Sequence, residues 1–354
     1  MMHYKKWVKV YMSMTLSVIF LFALFNYAID PLWTFSNSNR YNNRQPGFDE
    51  RQLKTNRAYF AGLEQYDTLL LGSSRVTYIN QHDFKTRNVF NYATVAMYPS
   101  EYKGWIDLAK TIKGEEFQTI ILGMDFWGSN DGPFARGQKS TTPSPQSYFE
   151  TTKSFFYRYK QLFSMATLER SLDSIKHASQ PDATDYTRDN VKTTIKISPQ
   201  RKQAAVNFQA GLYGNQIYGK AYRYDEEMAA HFEQLKKDNP QTKFIIFTTP
   251  IAGSLFEVLV RSGSLPDYKR WLTQLVDTFG EVYDFMGLNS VTTYEDHYAD
   301  LHHFYPYIGT FIADRLSGTN SAALPKDFGI LVTKDTLKSH FEEIDKQIQR
   351  SKAP

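Results

Sequence analysis

Three short segments carry side chains whose types and spacing can do chemistry, and the first and third directly follow an apolar run. Leu71-Gly72-Ser73-Ser74-Arg75 closes the run Asp67–Leu71. A serine just past a buried strand can present its hydroxyl at the carboxyl edge of a sheet, where open α/β sheets place ligands. Gly72 permits the tight turn this needs. A helix starting near Ser74 would add an amide and a dipole suited to an oxyanion. The commoner role of such a serine is to cap the next turn, and Ser73 and Ser74 both fit it. The second segment is Tyr298-Ala299-Asp300-Leu301-His302-His303-Phe304. An aspartate three residues before a histidine can orient the imidazole and stabilise its charged form, leaving it able to act as base to a serine. Asp296, His297, Asp300, His302 and His303 also offer metal-ligating groups, but their spacing matches no zinc signature. A polar surface loop is the remaining alternative. The third segment is Leu122-Gly123-Met124-Asp125. Asp125 either holds a site group by hydrogen bonding or caps the following segment. Asn91, after the short run Val89–Tyr92, either donates a side-chain hydrogen bond or makes an ordinary turn. No metal and no cofactor is expected.

The elements that must position these residues alternate. Short apolar runs at Asp67–Leu71, Val89–Tyr92, Thr119–Leu122, Lys243–Thr249 and Glu281–Phe285 read as strands. Helical patterns fall at Glu101–Ile112, Tyr222–Lys237, Tyr268–Phe279 and Tyr307–Leu316. This rhythm predicts an α/β fold, a mostly parallel sheet with helices on both faces in three layers. Residues 132–219 interrupt it. Within them Gly137–Ser147 reads as a loop, Tyr148–His177 as helix, and Gln180–Lys202 as polar and irregular. We read this block as an insertion that is either a structural excursion or a lid or partner surface. Residues 321–354 read as a polar tail with a helix near Leu337–Gln349.

The first thirty residues are of another kind. Lys5, Lys6 and Lys9 precede an uncharged run from Val10 to Ile29, about the 20 residues a helix needs to cross a bilayer. Trp7, Tyr11 and Tyr27 lie near its ends, where amphipathic rings favour the interface. The run is long for a signal peptide, and no small-residue cleavage site comes after it. The expected arrangement is a cytoplasmic segment 1–9, an anchor 10–29 and an exported domain 30–320, held in the inner (cytoplasmic) membrane.

The 354 residues are 42% hydrophobic and 22% charged, which excludes wholesale disorder. A mean hydropathy of -0.48 excludes a polytopic membrane protein. The net charge of +4 is no footprint of a nucleic-acid binder. Setting aside Lys5, Lys6, Lys9 and Asp30 leaves 38 basic and 36 acidic residues, so the exported part is nearly neutral. There are no cysteines, which excludes disulfides, cysteine nucleophiles and zinc-thiolate sites.

Together, Tyr27-Ala28-Ile29-Asp30-Pro31, Gly72-Ser73-Ser74-Arg75-Val76, Gly123-Met124-Asp125 and Asp300–Gly309 resemble the SGNH (GDSL-like) hydrolase superfamily. The likeness is to its membrane-anchored branch, which includes the alginate O-acetylation proteins and the teichoic acid D-alanylation protein. It touches most of residues 25–317 through short, separated motifs. The resemblance implies Ser74 as nucleophile, His303 as base and Asp300 as its orienting acid. It implies a serine O-acyltransferase or esterase acting on a cell-envelope or exported polysaccharide, served by a multispanning membrane O-acyltransferase. A catalytically weak scaffold protein is the alternative. Two motifs depart from the pattern: Gly72-Ser73-Ser74 replaces Gly-Asp-Ser, and Gly123-Met124-Asp125-Phe126 replaces Gly-x-Asn-Asp. An ionised Asp125 accepts hydrogen bonds only. Oxyanion donors must then be amides near Ser74, or the side chains of Asn91 or Asn130. Arg75 either binds an anionic substrate group or pairs with a nearby carboxylate.

Overall fold

The computed structural model describes residues 2–35, 37–45, 49–179, 184–319 and 322–352. The chain divides into two compact units. One comprises Met1–Gly62 and Gln146–Asn190, the other Leu63–Pro145 and Val191–Pro354. Within the block 132–219, residues 146–190 cluster with the N-terminal residues and the rest with the other unit.

The second unit is built on a six-stranded sheet. Its strands are β1 (Thr68–Leu71), β2 (Val89–Asn91), β3 (Thr119–Met124), β4 (Lys243–Thr248), β5 (Glu281–Asp284) and β6 (Ile330–Thr333). Their order is β2-β1-β3-β4-β5-β6. The first five run parallel, and β6 pairs antiparallel with β5. β1 is buried at every position and β3 likewise, which explains the uninterrupted apolar runs Leu69–Leu71 and Ile120–Leu122. Helices flank the sheet, giving a mostly parallel α/β architecture. Helix Leu265–Phe279 buries Tyr268, Trp271, Leu272, Leu275 and Val276, an apolar stripe at helical spacing. The strand order reverses between β1 and β3, so the crevice beyond their carboxyl ends is the topological switch point.

The C-terminal segment carries a strand as well as the expected helix. β6 is half exposed at the sheet edge, and helix Leu337–Ser351 buries Ile344 and Ile348. His340 Nε2 meets the buried carboxylate of Asp284 at 2.7 Å. That carboxylate also accepts from Thr248 Oγ1 at 2.6 Å and Tyr268 OH at 2.7 Å. Burial alone would raise its pKa, but His340 and the two hydroxyls hold it below the ordinary value.

In the first unit, helix Met2–Ile29 contains an apolar stretch, Tyr4–Ile29, long enough to cross a membrane. It stops at Asp30, which has φ +46°. The Asp30 carboxylate accepts the Thr34 amide at 3.0 Å and pairs with Arg188 at 3.1 Å. Beyond it, Trp33, Leu53 and Tyr186 form a small core. Strands Arg44–Gln45 and Thr184–Thr187 pair antiparallel.

The structure departs from the sequence expectations in several places. Gly137–Ser147 is not all loop, because Pro133–Thr141 is helical with Pro at its first turn. The long helix expected over Tyr148–His177 is broken into Pro145–Lys153, Tyr157–Leu162 and Met165–Ser179. Of the stretch Gln180–Lys202, residues 180–183 lie outside the described residues. The rest holds strands and the start of helix Pro199–Leu212, capped by the Ser198 side chain.

Candidate active site

Ser74 lies three residues beyond β1, and His303 lies in the loop before helix Pro306–Leu316. Both belong to the sheet unit, and the fold brings them together. Ser74 Oγ lies 2.9 Å from His303 Nε2. His303 Nδ1 lies 2.7 Å from Asp300 Oδ2. The other carboxylate oxygen, Oδ1, accepts the backbone amides of His302 and His303, both at 2.8 Å. Asp300 thus closes its own loop while aiming the imidazole. Burial raises its pKa. The His303 hydrogen bond and charge, then His302 and its amide, outweigh burial and hold it far below the usual carboxylate range. Ser74 is half-buried, so its hydroxyl can meet a ligand.

Local features explain why the backbone bends this way. A Cβ on Gly72 would collide with Val76 Cγ2, and one on Gly123 would collide with the same methyl. The two strand-end glycines therefore make the seat for Val76, which lets the chain fold back directly after Ser74. The turn is held by Thr77 Oγ1 donating to the Ser74 carbonyl at 2.5 Å and by the Val76 amide donating to the Ser73 carbonyl at 3.0 Å. The next element is a single 3₁₀ turn, Val76–Tyr78, and not the helix whose dipole the sequence invited. On the far side, Gly309 packs helix Pro306–Leu316 onto this turn. A Cβ there would lie 2.7 Å from the Tyr78 carbonyl oxygen and 3.0 Å from Ile79 Cα. The Tyr78 ring also faces His303, with centroids 5.7 Å apart. The loop carrying the imidazole is fixed by the Ala299 amide donating to the His303 carbonyl at 2.8 Å and the Tyr305 amide donating to the His297 carbonyl at 2.9 Å.

The other expected site residues are structural. Asn91 is fully buried, and its Nδ2 donates to the carbonyls of Val76 at 3.0 Å and Ile79 at 2.9 Å. It braces the turn after Ser74 and has no amide hydrogen left for an oxyanion. Asn130 Nδ2 donates to the carbonyls of Gln216 and Ile217, both at 3.2 Å, and its Oδ1 accepts the Gly132 amide at 2.7 Å. Asp125 makes no capping bond. It accepts Arg75 Nη1 at 2.7 Å and the Thr249 hydroxyl. Arg75 is 1% exposed and donates from Nη2 to Tyr213 OH at 2.9 Å. Burial favours its neutral form, but Tyr213 and Asp125 override this and keep it a cation. Of its two readings, the paired one is what the structure holds.

Oxyanion donors must come from elsewhere. The Ser74 amide donates to no other described residue. Thr94, whose amide donates to the Gly72 carbonyl at 3.1 Å, has a buried hydroxyl without a partner among the described residues. Thr94, Tyr213 and Thr249 were not singled out as parts of the site by sequence, and His302 only as a metal-ligating group. Their partners lie far away along the chain, so no local signal marked them. The His302 ring packs tilted against His303, with centroids 4.1 Å apart, and against Tyr213 at 5.4 Å. Burial and then the neighbouring His303 push it well below the usual imidazole range, so it is neutral.

Asp300, His302 and His303 have potential ligand atoms within 4.8 Å of one another. Both His303 nitrogens already bond to Ser74 and Asp300, so a metal there would displace one of them. The other residues of that set point elsewhere. His297 Nδ1 meets the Val291 carbonyl at 2.9 Å, and Asp296 pairs with Lys196 at 3.3 Å. No family model, curated protein or solved structure matches the chain.

Proposed function

We propose that this chain is a membrane-anchored serine acyltransferase or esterase of the SGNH kind. It acts on ester-linked acyl groups of a cell-envelope or exported polysaccharide. One observation carries the chemistry: the hydrogen-bonded chain Ser74–His303–Asp300, set at the switch point of a parallel sheet. His303 Nε2 takes the Ser74 proton as Oγ attacks the acyl carbonyl. The tetrahedral intermediate collapses, the C–O bond to the leaving alcohol breaks, and His303 returns the proton to that oxygen. A sugar hydroxyl or water then attacks the acyl-serine by the same steps in reverse. Asp300 stays ionised and stabilises the imidazolium. The free Ser74 amide is the first oxyanion donor, and Thr94 Oγ is a candidate second.

The acceptor class and the anchor rest on the resemblance and on the apolar helix Tyr4–Ile29. By the same resemblance, a multispanning membrane O-acyltransferase supplies the acyl group. The occupied side chains of Asn91 and Asn130 favour slow turnover, which keeps a scaffold role as the second reading.

The test uses the full chain in detergent micelles, treated with 4-nitrophenyl acetate and weighed by intact mass spectrometry. The expected result is one acetyl adduct on Ser74, absent in Ser74→Ala. If both proteins stay unmodified, and both support the same glycan acylation in cells, the catalytic reading fails and the scaffold reading replaces it.

A further inference from the structure

Helix Met165–Ser179 is arranged the wrong way round for a helix in water. Its buried face is Thr167, Ser171, Ser174 and His177, all polar. Its apolar residues Met165, Leu168, Leu172 and Ile175 recur at a spacing of three and four, yet Met165 and Leu172 are exposed. The segment just before it adds Phe155, Phe156, Tyr159 and Phe163, which with Met165 and Leu172 are between 48% and 84% exposed. Single exposed apolar residues are ordinary, but six large ones within residues 155–172 are not.

The same unit shows where this patch lies. Asn26, near the end of the apolar helix, donates from Nδ2 to the Leu162 carbonyl at 3.0 Å. Its Oδ1 accepts from Ser171 Oγ at 3.0 Å. Asn26 is three residues before the helix ends at Ile29, or about 5 Å along the axis. Ser171, on the polar face of helix Met165–Ser179, and the Leu162 carbonyl before that helix thus both bond the last turn of the apolar helix, which sets this segment beside its end. Arg158, Lys160 and Arg170 outnumber Glu169 within residues 155–172. Basic groups beside an apolar stripe suit phosphate headgroups.

We infer that residues 155–172 lie in the outer interface of the same bilayer, so that the chain is held by a span plus an interfacial helical patch. This rests on the reading of Tyr4–Ile29 as a membrane span. Lipid is the occupant because the segment is bonded to the last turn of the helix that this reading places in the bilayer.

The absence of cysteine makes the test clean. Single substitutions Phe156→Cys, Met165→Cys and Leu172→Cys are spin-labelled in the full chain. The chain is reconstituted in vesicles of phosphatidylethanolamine and phosphatidylglycerol. Phe20→Cys reports the span, and Lys237→Cys the aqueous surface. Matching circular dichroism spectra verify that each variant is folded. Labels at 156, 165 and 172 should be relaxed by oxygen more than by a water-soluble nickel chelate, at depths shallower than that of position 20. If they match position 237 while position 20 is lipid-exposed, the interfacial placement is wrong and the span stands. If position 20 is also water-exposed, both fall. Exposure in vesicles with shielding only in native membranes assigns the patch to a protein partner and overturns the lipid proposal.

Discussion

His302 and His303 are neighbours in sequence with opposite surroundings. His303 has both ring nitrogens bonded, whereas His302 Nδ1 has no partner among the described residues. Replacing His303 by Gln should lower Ser74 acylation on the order of 10⁴-fold, and His302→Gln by only about threefold. Rates of adduct formation measure both. Asp300 has a folded pKa far below its ordinary 3.8. Its ionised form therefore stabilises the fold above 3.8, and that contribution is lost only as pH falls through the depressed value. An acid limb in the rate profile above about pH 4 consequently belongs to another group and should persist in Asp300→Asn. Arg75 makes a separate prediction. Arg75→Leu strands the Asp125 carboxylate in the interior and should cost about 3–5 kcal/mol in denaturant unfolding. A substrate-binding arginine would instead raise KM at unchanged stability. Ser74, His303 and Asp300 were picked out together by the motif resemblance and not by spacing, since Ser74 alone reads as a cap and Asp300 and His303 lie in a loop. Asn91 and Asn130 were offered as oxyanion donors because side-chain type shows what a group can donate, not what it already bonds.

Among the elements, helix Pro306–Leu316 links the two halves of the triad through Gly309. A methyl group there meets the backbone of Tyr78 and Ile79 and cannot be accommodated by a rotamer change. Gly309→Ala should therefore displace the helix from the turn after Ser74. The expected cost is about 1–3 kcal/mol of stability, with a loss of Ser74 acylation larger than that loss of folded protein explains. Chemical denaturation and adduct mass on the same sample separate the two effects. Buried strands were readable at this scale because β1, β3 and β4 are apolar on both faces. β6 was not, because Ile330–Thr333 is a short edge strand set among polar residues. Helix Gly253–Arg261 was also missed. It starts on a glycine directly after a proline-closed strand, without a capping side chain, so no start signal precedes its buried Leu255, Phe256 and Leu259.

For the whole molecule, half of the charge excess is a matter of orientation. Lys5, Lys6 and Lys9 precede the uncharged run Val10–Ile29, and in the proposed topology they stay cytoplasmic while the residues after Asp30 are exported. Protease added to intact spheroplasts should digest the sheet unit and spare an epitope fused to the N-terminus. Digestion only after lysis would reverse the topology. The division into two units was hidden from the sequence because residues 146–190 join the N-terminal segment, a pairing that no local pattern announces. Ser74 and His303 stand 229 residues apart. Synthesis runs from the N-terminus, so the serine is made well before its histidine partner. The Ser74 hydroxyl has no imidazole beside it until helix Pro306–Leu316 has docked through Gly309. A chain that ends before residue 303 therefore lacks the hydrogen-bonded pair, however well the strands before it have formed.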